Sequence, residues 1–270
     1  MNTCRLTRAM SRRTTGLVSY IRDSLRYSLG SSKVSNFNQF IVNILIVKNV
    51  KYVKIAKICI DSFLHFHPNA IIKIHCDEET FPKAKVSLRN KNVEIVNDCD
   101  SDDSWQLSKL KLFLKLSGTS HILMDADLKW NGPLPNLGSV TYFVREFTFK
   151  DNELYVQLFN QAGWQQYLDY SMKNTSFVLL DEHKIIHESI NELTRRIELF
   201  ERTIVSSNFS VEQKKDLKRI AEQVVLSLEF DDDHCSYLKK SDSQFDGSLV
   251  ESSYFGATGT RFGMFGATSK

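Results

Sequence analysis

Few residues break this 270-residue chain: it has only 4 prolines and 11 glycines. That excludes collagen-like repeats and Pro/Gly-rich low-complexity structure. The five cysteines (Cys4, Cys59, Cys76, Cys99, Cys235) are odd in number, and no pair has CxxC spacing. Zinc ribbons, dithiol redox motifs and disulfide scaffolds are therefore disfavoured, and a reducing, cytoplasmic setting fits best. No apolar run approaches the roughly 18 residues of a membrane span. The longest, residues 41–47, is strand-sized and interrupted by Asn43. The start lacks the apolar region of a secretory signal. Residues 47–52, after the first apolar strand, contain no glycine, so no glycine-rich phosphate loop is present there. His183 and His187 stand four apart but without the Glu of a zinc-protease motif, and they read as solvated helix residues.

What is present is ordinary for a globular protein: 42% apolar and 25% charged residues. A chain this size can bury a large core without staples. The net charge of +3 hides an asymmetry. Residues 1–35 carry Arg5, Arg8, Arg12, Arg13, Arg22, Arg26 and Lys33 against Asp23 alone. A basic leader on a near-neutral body argues against nucleic acid, whose partners line the folded surface with cations. Leu17, Ile21, Leu25 and Leu29 recur every fourth residue beside Arg22 and Arg26, as in an amphipathic helix on an acidic membrane surface. An Arg- and Ser-rich, acid-poor start also describes a transit peptide or a disordered tail.

From residue 36 the pattern alternates between strands and helices. Strands are expected at 40–47, 70–76, 93–96, 121–126, 141–149 and 176–180. Helices are expected at 52–66, 104–117, 154–170, 182–204 and 210–228, the last opened by the capping box Ser210-Val211-Glu212-Gln213. This order predicts an α/β, mostly parallel sheet with helices on both faces. One domain over 36–240 follows, preceded by the 1–35 leader. Residues 241–270, richer in Gly and Ser, read as irregular with a final strand.

The informative segment is His121-Ile122-Leu123-Met124-Asp125-Ala126-Asp127. An apolar strand ends in two carboxylates separated by one small residue. Ligands of open α/β sheets sit beyond the carboxyl ends of strands. Hard divalent cations take oxygen donors from one or two carboxylates plus substrate phosphates. A bare D-x-D is weak; here it follows a Lys-bearing helix and precedes Asn131-Gly132-Pro133-Leu134.

The stretch from Ser104 to Leu134 resembles the nucleotide-sugar-dependent glycosyltransferases of the GT-A (Rossmann-like) fold, most closely the retaining glycosyltransferase 8-like group. The resemblance implies a metal-dependent enzyme moving a hexose from a nucleotide-diphosphate sugar, UDP-sugars favoured, to a glycan or lipid-linked acceptor. It implies Mn2+ or Mg2+ on Asp125 and Asp127, and base and ribose contacts from Val47, Asn49, Tyr52, Asp77 and Asp125. It further implies a donor-facing Lys109, a sugar contact from Asn174 in the turn Asn174-Thr175-Ser176-Phe177, and Glu222-Gln223 beside the anomeric carbon, making Glu222, Gln223 and Lys109 the catalytic set. The family's C-terminal metal-binding His is replaced here by Ser253 in Ser253-Tyr254-Phe255-Gly256, with His234 as a substitute and Arg261 as the diphosphate grip. That departure leaves open a degenerate nucleotide-sugar-binding scaffold; a sugar-phosphate nucleotidyltransferase, which shares the α/β sheet and metal carboxylates, is the other alternative. Of the tryptophans, Trp105 and Trp130 read as core or lid, and Trp164 as core or an acceptor-stacking platform.

Overall fold

The computed structural model describes residues 41–89, 92–130, 134, 137–142, 145–180, 186–238 and 250–252, all within the unit Phe37–Lys270. The leader 1–35, most of 241–270, His183, residues 131–133, Ser253-Tyr254-Phe255-Gly256 and Arg261 lie outside the described residues.

β1 (Ile41–Ile46), β2 (Ile71–Cys76), β3 (Val93–Asn97) and β4 (His121–Met124) are short, Ile/Val-rich runs, as strands covered on both faces should be. Between them lie α1 (Lys51–Phe66), α2 (Phe81–Ser87) and α3 (Trp105–Leu116). α1 buries Val53, Ala56, Cys59, Ile60 and Phe63, a three-and-four stripe that faces the sheet. It stops before Pro68, whose ring disfavours helix in the residue preceding it. The Ser104 hydroxyl accepts the Leu107 N–H and starts α3 as expected. α2, with a proline in its first turn, is a short helix absent from the expected elements.

Beyond β4 come β5 (Leu128–Trp130), β6 (Val140–Tyr142), β7 (Arg145–Thr148), α4 (Glu153–Ala162), β8 (Ser171–Lys173) and β9 (Phe177–Leu180). α5 (Ile190–Ser206), α6 (Val211–Arg219), α7 (Ala221–Ser227), β10 (Ser236–Tyr237) and β11 (Val250–Ser252) complete the described elements. The main sheet runs β10-β6-β9-β4-β1-β2-β3. Its pairings are parallel except for those of β9, which is antiparallel to both β4 and β6. Alternate residues feed two cores. Ile122 and Met124 join the cluster under α1 and α2, while Leu123 joins the one under α3 to α7. This is the mostly parallel α/β sheet, covered by helices on both faces, expected from the sequence.

Several boundaries are corrected. The run 141–149 is two strands, of which β7 leaves the main sheet to pair with β8. The helix expected over 154–170 stops at Gly163, whose φ of 75° is the left-handed cap that glycine favours. The helix expected from 182 begins at Ile190, where the Ser189 hydroxyl caps the Glu192 N–H. His187 therefore precedes the helix and is exposed. The helix opened by the Ser210 capping box breaks at Ile220 (φ −109°, ψ 15°). α7 beyond the break is buried at all seven positions. The final strand exists as β11, antiparallel to β5. Among the described residues no helix is long and apolar enough to cross a membrane.

Candidate functional site

Strand order reverses between β1 and β4: from β1 the chain adds β2 and β3 on one side, then returns to place β4 on the other. The crevice beyond the carboxyl ends of two such strands is where open α/β sheets bind ligands. Asp125 leaves β4 there, and Val47 and Lys48 leave β1. Because β9 is antiparallel, with Phe177 opposite Met124, the turn before it reaches the same crevice. The Asp125 N–H donates to the Ser176 carbonyl at 2.7 Å and fixes that approach.

At the centre is Lys109, only 4% exposed. Its Nζ donates to Asp125 Oδ1 at 2.9 Å and to Thr175 Oγ1 at 3.3 Å. Glu222 Oε1 lies 3.8 Å away. Burial works to lower the pKa of this ammonium, but Asp125 and Glu222 outweigh it and hold the pKa above its ordinary value. Lys109 is thus held as a cation beneath the carboxylates. Burial, aided by the charge of Asp125, pushes Asp127 up to about 6. Burial pushes Glu222 up to about 7 despite Lys109. Glu222 Oε2 is buried without a hydrogen-bond partner among the described residues, at a cost of about 1–3 kcal/mol.

Asp125 and Asp127 suit a hard divalent cation: both offer oxygen, and their mutual repulsion is what an added cation would relieve. Among the described residues no group of three or more His, Cys, Asp or Glu is placed to hold an ion. His234, the expected substitute third ligand, is exposed and bonded through Nδ1 to Asp231.

The β1 side of the crevice is built by Asp77, which is 1% exposed. Its Oδ2 accepts the Lys48 N–H at 2.7 Å, and its Oδ1 accepts the N–H and hydroxyl of Thr80 at 3.0 and 2.8 Å. Burial works to raise its pKa, but these donors prevail and hold it below the ordinary value. Asp77 thus ties the β1 and β2 loops together, and Lys48 is held at a φ of 63°, a conformation uncommon outside glycine. Val47 is buried beside it. Asn49 Oδ1 accepts the Lys51 N–H at 3.0 Å, and Tyr52 is 42% exposed.

On the opposite side, Asn174 is 5% and Gln223 is 4% exposed. Asn174 Oδ1 accepts the Ser176 N–H at 2.9 Å, and Asn174 Nδ2 donates to Glu146 Oε1 at 3.1 Å. Gln223 Nε2 donates to the same oxygen at 3.3 Å. Lys109, Thr175, Asp125 and Glu222 therefore form one assembly, with Asn174, Gln223 and Glu146 beside it. Val47, Asn49 and Tyr52 follow β1 and Asp77 follows β2, on the other side of β4 from Asn174. Sequence reasoning missed Glu146; the available signal was a charged Arg145-Glu146 pair inside the aromatic run 142–149. Trp164, one candidate platform, is 6% exposed and stacked on Phe200 in the core. Trp130 is likewise buried.

No family model matches the chain, and no curated protein is similar to it. Among solved structures it is similar to the galactosyltransferase LgtC in complex with donor and acceptor sugar analogues, and to a Gln-to-Glu active-site mutant of LgtC. For each of these two the identity is 17% and the TM-score 0.46, over 73% of this chain and 72% of that one. The glycosyltransferase GlyE of Streptococcus pneumoniae TIGR4 is similar at 14% identity and TM-score 0.43, over 74% of this chain and 45% of that one.

Proposed function

We propose that this chain is a metal-dependent glycosyltransferase that moves a hexose, with retention, from a nucleotide-diphosphate sugar to a glycan or lipid-linked acceptor. UDP-sugars are the favoured donors. The observation that carries the reading is the buried Lys109 shared by Asp125, Thr175 and Glu222 at the strand-order switch. Such an assembly costs stability through desolvation and is explained by a ligand whose charge it complements.

In this reading the loop 47–52, with Asp77 bracing it, holds the base and ribose, and Asp125 contacts the ribose. Asn174 contacts the sugar. Glu222 and Gln223 face the anomeric carbon and offer oxygen to the positive charge that develops there. Lys109 keeps Asp125 and Glu222 in place, and its charge counts for more in a water-poor crevice. Mn2+ or Mg2+, held by Asp125 and Asp127, would neutralise charge on the departing diphosphate. The basic leader supports contact with an anionic membrane surface; equal vesicle co-sedimentation of the full chain and of residues 36–270 would remove that part.

Glu222→Gln and Gln223→Ala test the placement. Each is expected to lower transfer or donor hydrolysis about 100-fold or more while donor affinity moves within about threefold, as for groups acting in the transition state. If both variants turn over like the parent, the placement of α7 against the donor is wrong.

A further inference from the structure

Glu146 stands outside the carboxylate assembly, on β7 in the small two-stranded sheet, yet two of the buried amides depend on it. One oxygen, Oε1, accepts from both Asn174 Nδ2 (3.1 Å) and Gln223 Nε2 (3.3 Å). A primary amide has a donor end and an acceptor end, and a carboxylate accepts only. Anchoring the nitrogen therefore dictates where the oxygen goes. For Asn174 that oxygen is spent on the Ser176 N–H. For Gln223, no bond among the described residues involves Oε1. Glu146 thus joins the segments 174–175 and 222–223, the same two that Lys109 joins through Thr175 and Glu222. One tie is a cation between a hydroxyl and a carboxylate; the other is a carboxylate between two amides.

We infer that Glu146 is a positioning residue that fixes the amide of Gln223 so that its carbonyl oxygen, an acceptor, is presented to the bound donor sugar. The inference deepens the glycosyltransferase reading and rests on it. Without Glu146 the Gln223 amide is free to turn over, offering N–H where the transition state needs an electron-rich oxygen. Misplacement of such a group is felt in the rate of the chemical step more than in binding.

The test compares Glu146→Ala, Glu146→Gln and the parent with whichever of UDP-glucose, UDP-galactose and GDP-mannose stabilises the parent most in the presence of Mn2+. Glu146→Ala is expected to lower kcat for donor hydrolysis by about 10- to 100-fold with KM little changed. Glu146→Gln keeps an oxygen where Oε1 stands and is expected to restore most of that loss. In NMR spectra the side-chain NH2 protons of Asn174 and Gln223 should exchange faster in Glu146→Ala and as in the parent in Glu146→Gln. Parental turnover in Glu146→Ala overturns the inference. So does a Glu146→Gln variant as slow as Glu146→Ala, because the carboxylate would then act through its charge. The exchange measurement needs no donor: unchanged NH2 signals in Glu146→Ala overturn the anchor while leaving the donor reading intact. A parent that binds and turns over none of the three donors overturns the donor reading, and the inference with it.

Discussion

Lys109 concentrates the electrostatics of the crevice, because three acidic groups depend on one buried ammonium. Lys109→Met would leave Asp125 and Glu222 without their cation, and removing one partner of a buried pair typically costs about 3–5 kcal/mol. The expected outcome is a lower unfolding midpoint, with Mn2+ raising it by more than in the parent because the carboxylates then lack an internal counter-charge. Equal Mn2+ shifts in the two proteins would contradict this. His67 supplies a separate residue-scale prediction. Its Nε2 accepts the Leu134 N–H at 3.0 Å, which requires a neutral ring face, and burial pushes its pKa from 6.5 down to about 4. The unfolded chain thus binds the proton more readily. The contribution of His67 is complete above pH 6.5 and is lost as the pH falls from about 6.5 to about 4. Urea unfolding at pH 7 and at pH 4.5 should show a larger acid loss in the parent than in His67→Gln, which keeps an acceptor but does not titrate.

At the scale of elements, the break at Ile220 decides where Glu222 and Gln223 go. Read as one continuous helix from Ser210, the segment puts Glu222 off the apolar stripe set by Leu217, Ile220, Val224 and Leu228, and hence in solvent. The break turns α7 inward and buries it at every position. Ser227 then secures it: its hydroxyl accepts the Lys173 N–H at 2.8 Å and donates to the Gln223 carbonyl at 2.7 Å. Ser227→Ala would strand the buried Lys173 N–H and is expected to cost about 1–3 kcal/mol in urea unfolding. Ser210→Ala, which removes the exposed capping box, should cost about 1 kcal/mol and leave ligand binding unchanged. A Ser227→Ala variant no weaker than Ser210→Ala would show that the α7–β8 tie is dispensable. Periodicity and end signals made most elements legible: the Ser104 and Ser210 caps, the stop before Pro68 and the apolar strand ending at Asp125. What sequence could not supply were the tertiary overrides, namely the Ile220 break, the departure of β7 into a second sheet, and thus Glu146. Nothing local in those residues announces which neighbours they meet.

For the molecule as a whole, topology does what no motif could do alone. A D-x-D pair is common on acidic loops. It becomes a candidate site because β4 lies beside β1 with reversed strand order, and because the antiparallel β9 brings Asn174 and Thr175 to the same end of the sheet. The most direct measurement is a thermal-shift titration of the parent and Asp127→Ala with UDP-glucose, UDP-galactose and GDP-mannose, with Mn2+ and with EDTA. A donor at about 100 times its Kd stabilises by about 2.7 kcal/mol, and about 2–4 °C per kcal/mol at this size gives a shift of about 5 °C or more. The account predicts such a shift for the parent with Mn2+, its loss with EDTA, and its loss in an Asp127→Ala variant that unfolds no earlier than the parent without ligand. A shift of equal size in Asp127→Ala, or in EDTA, would contradict it.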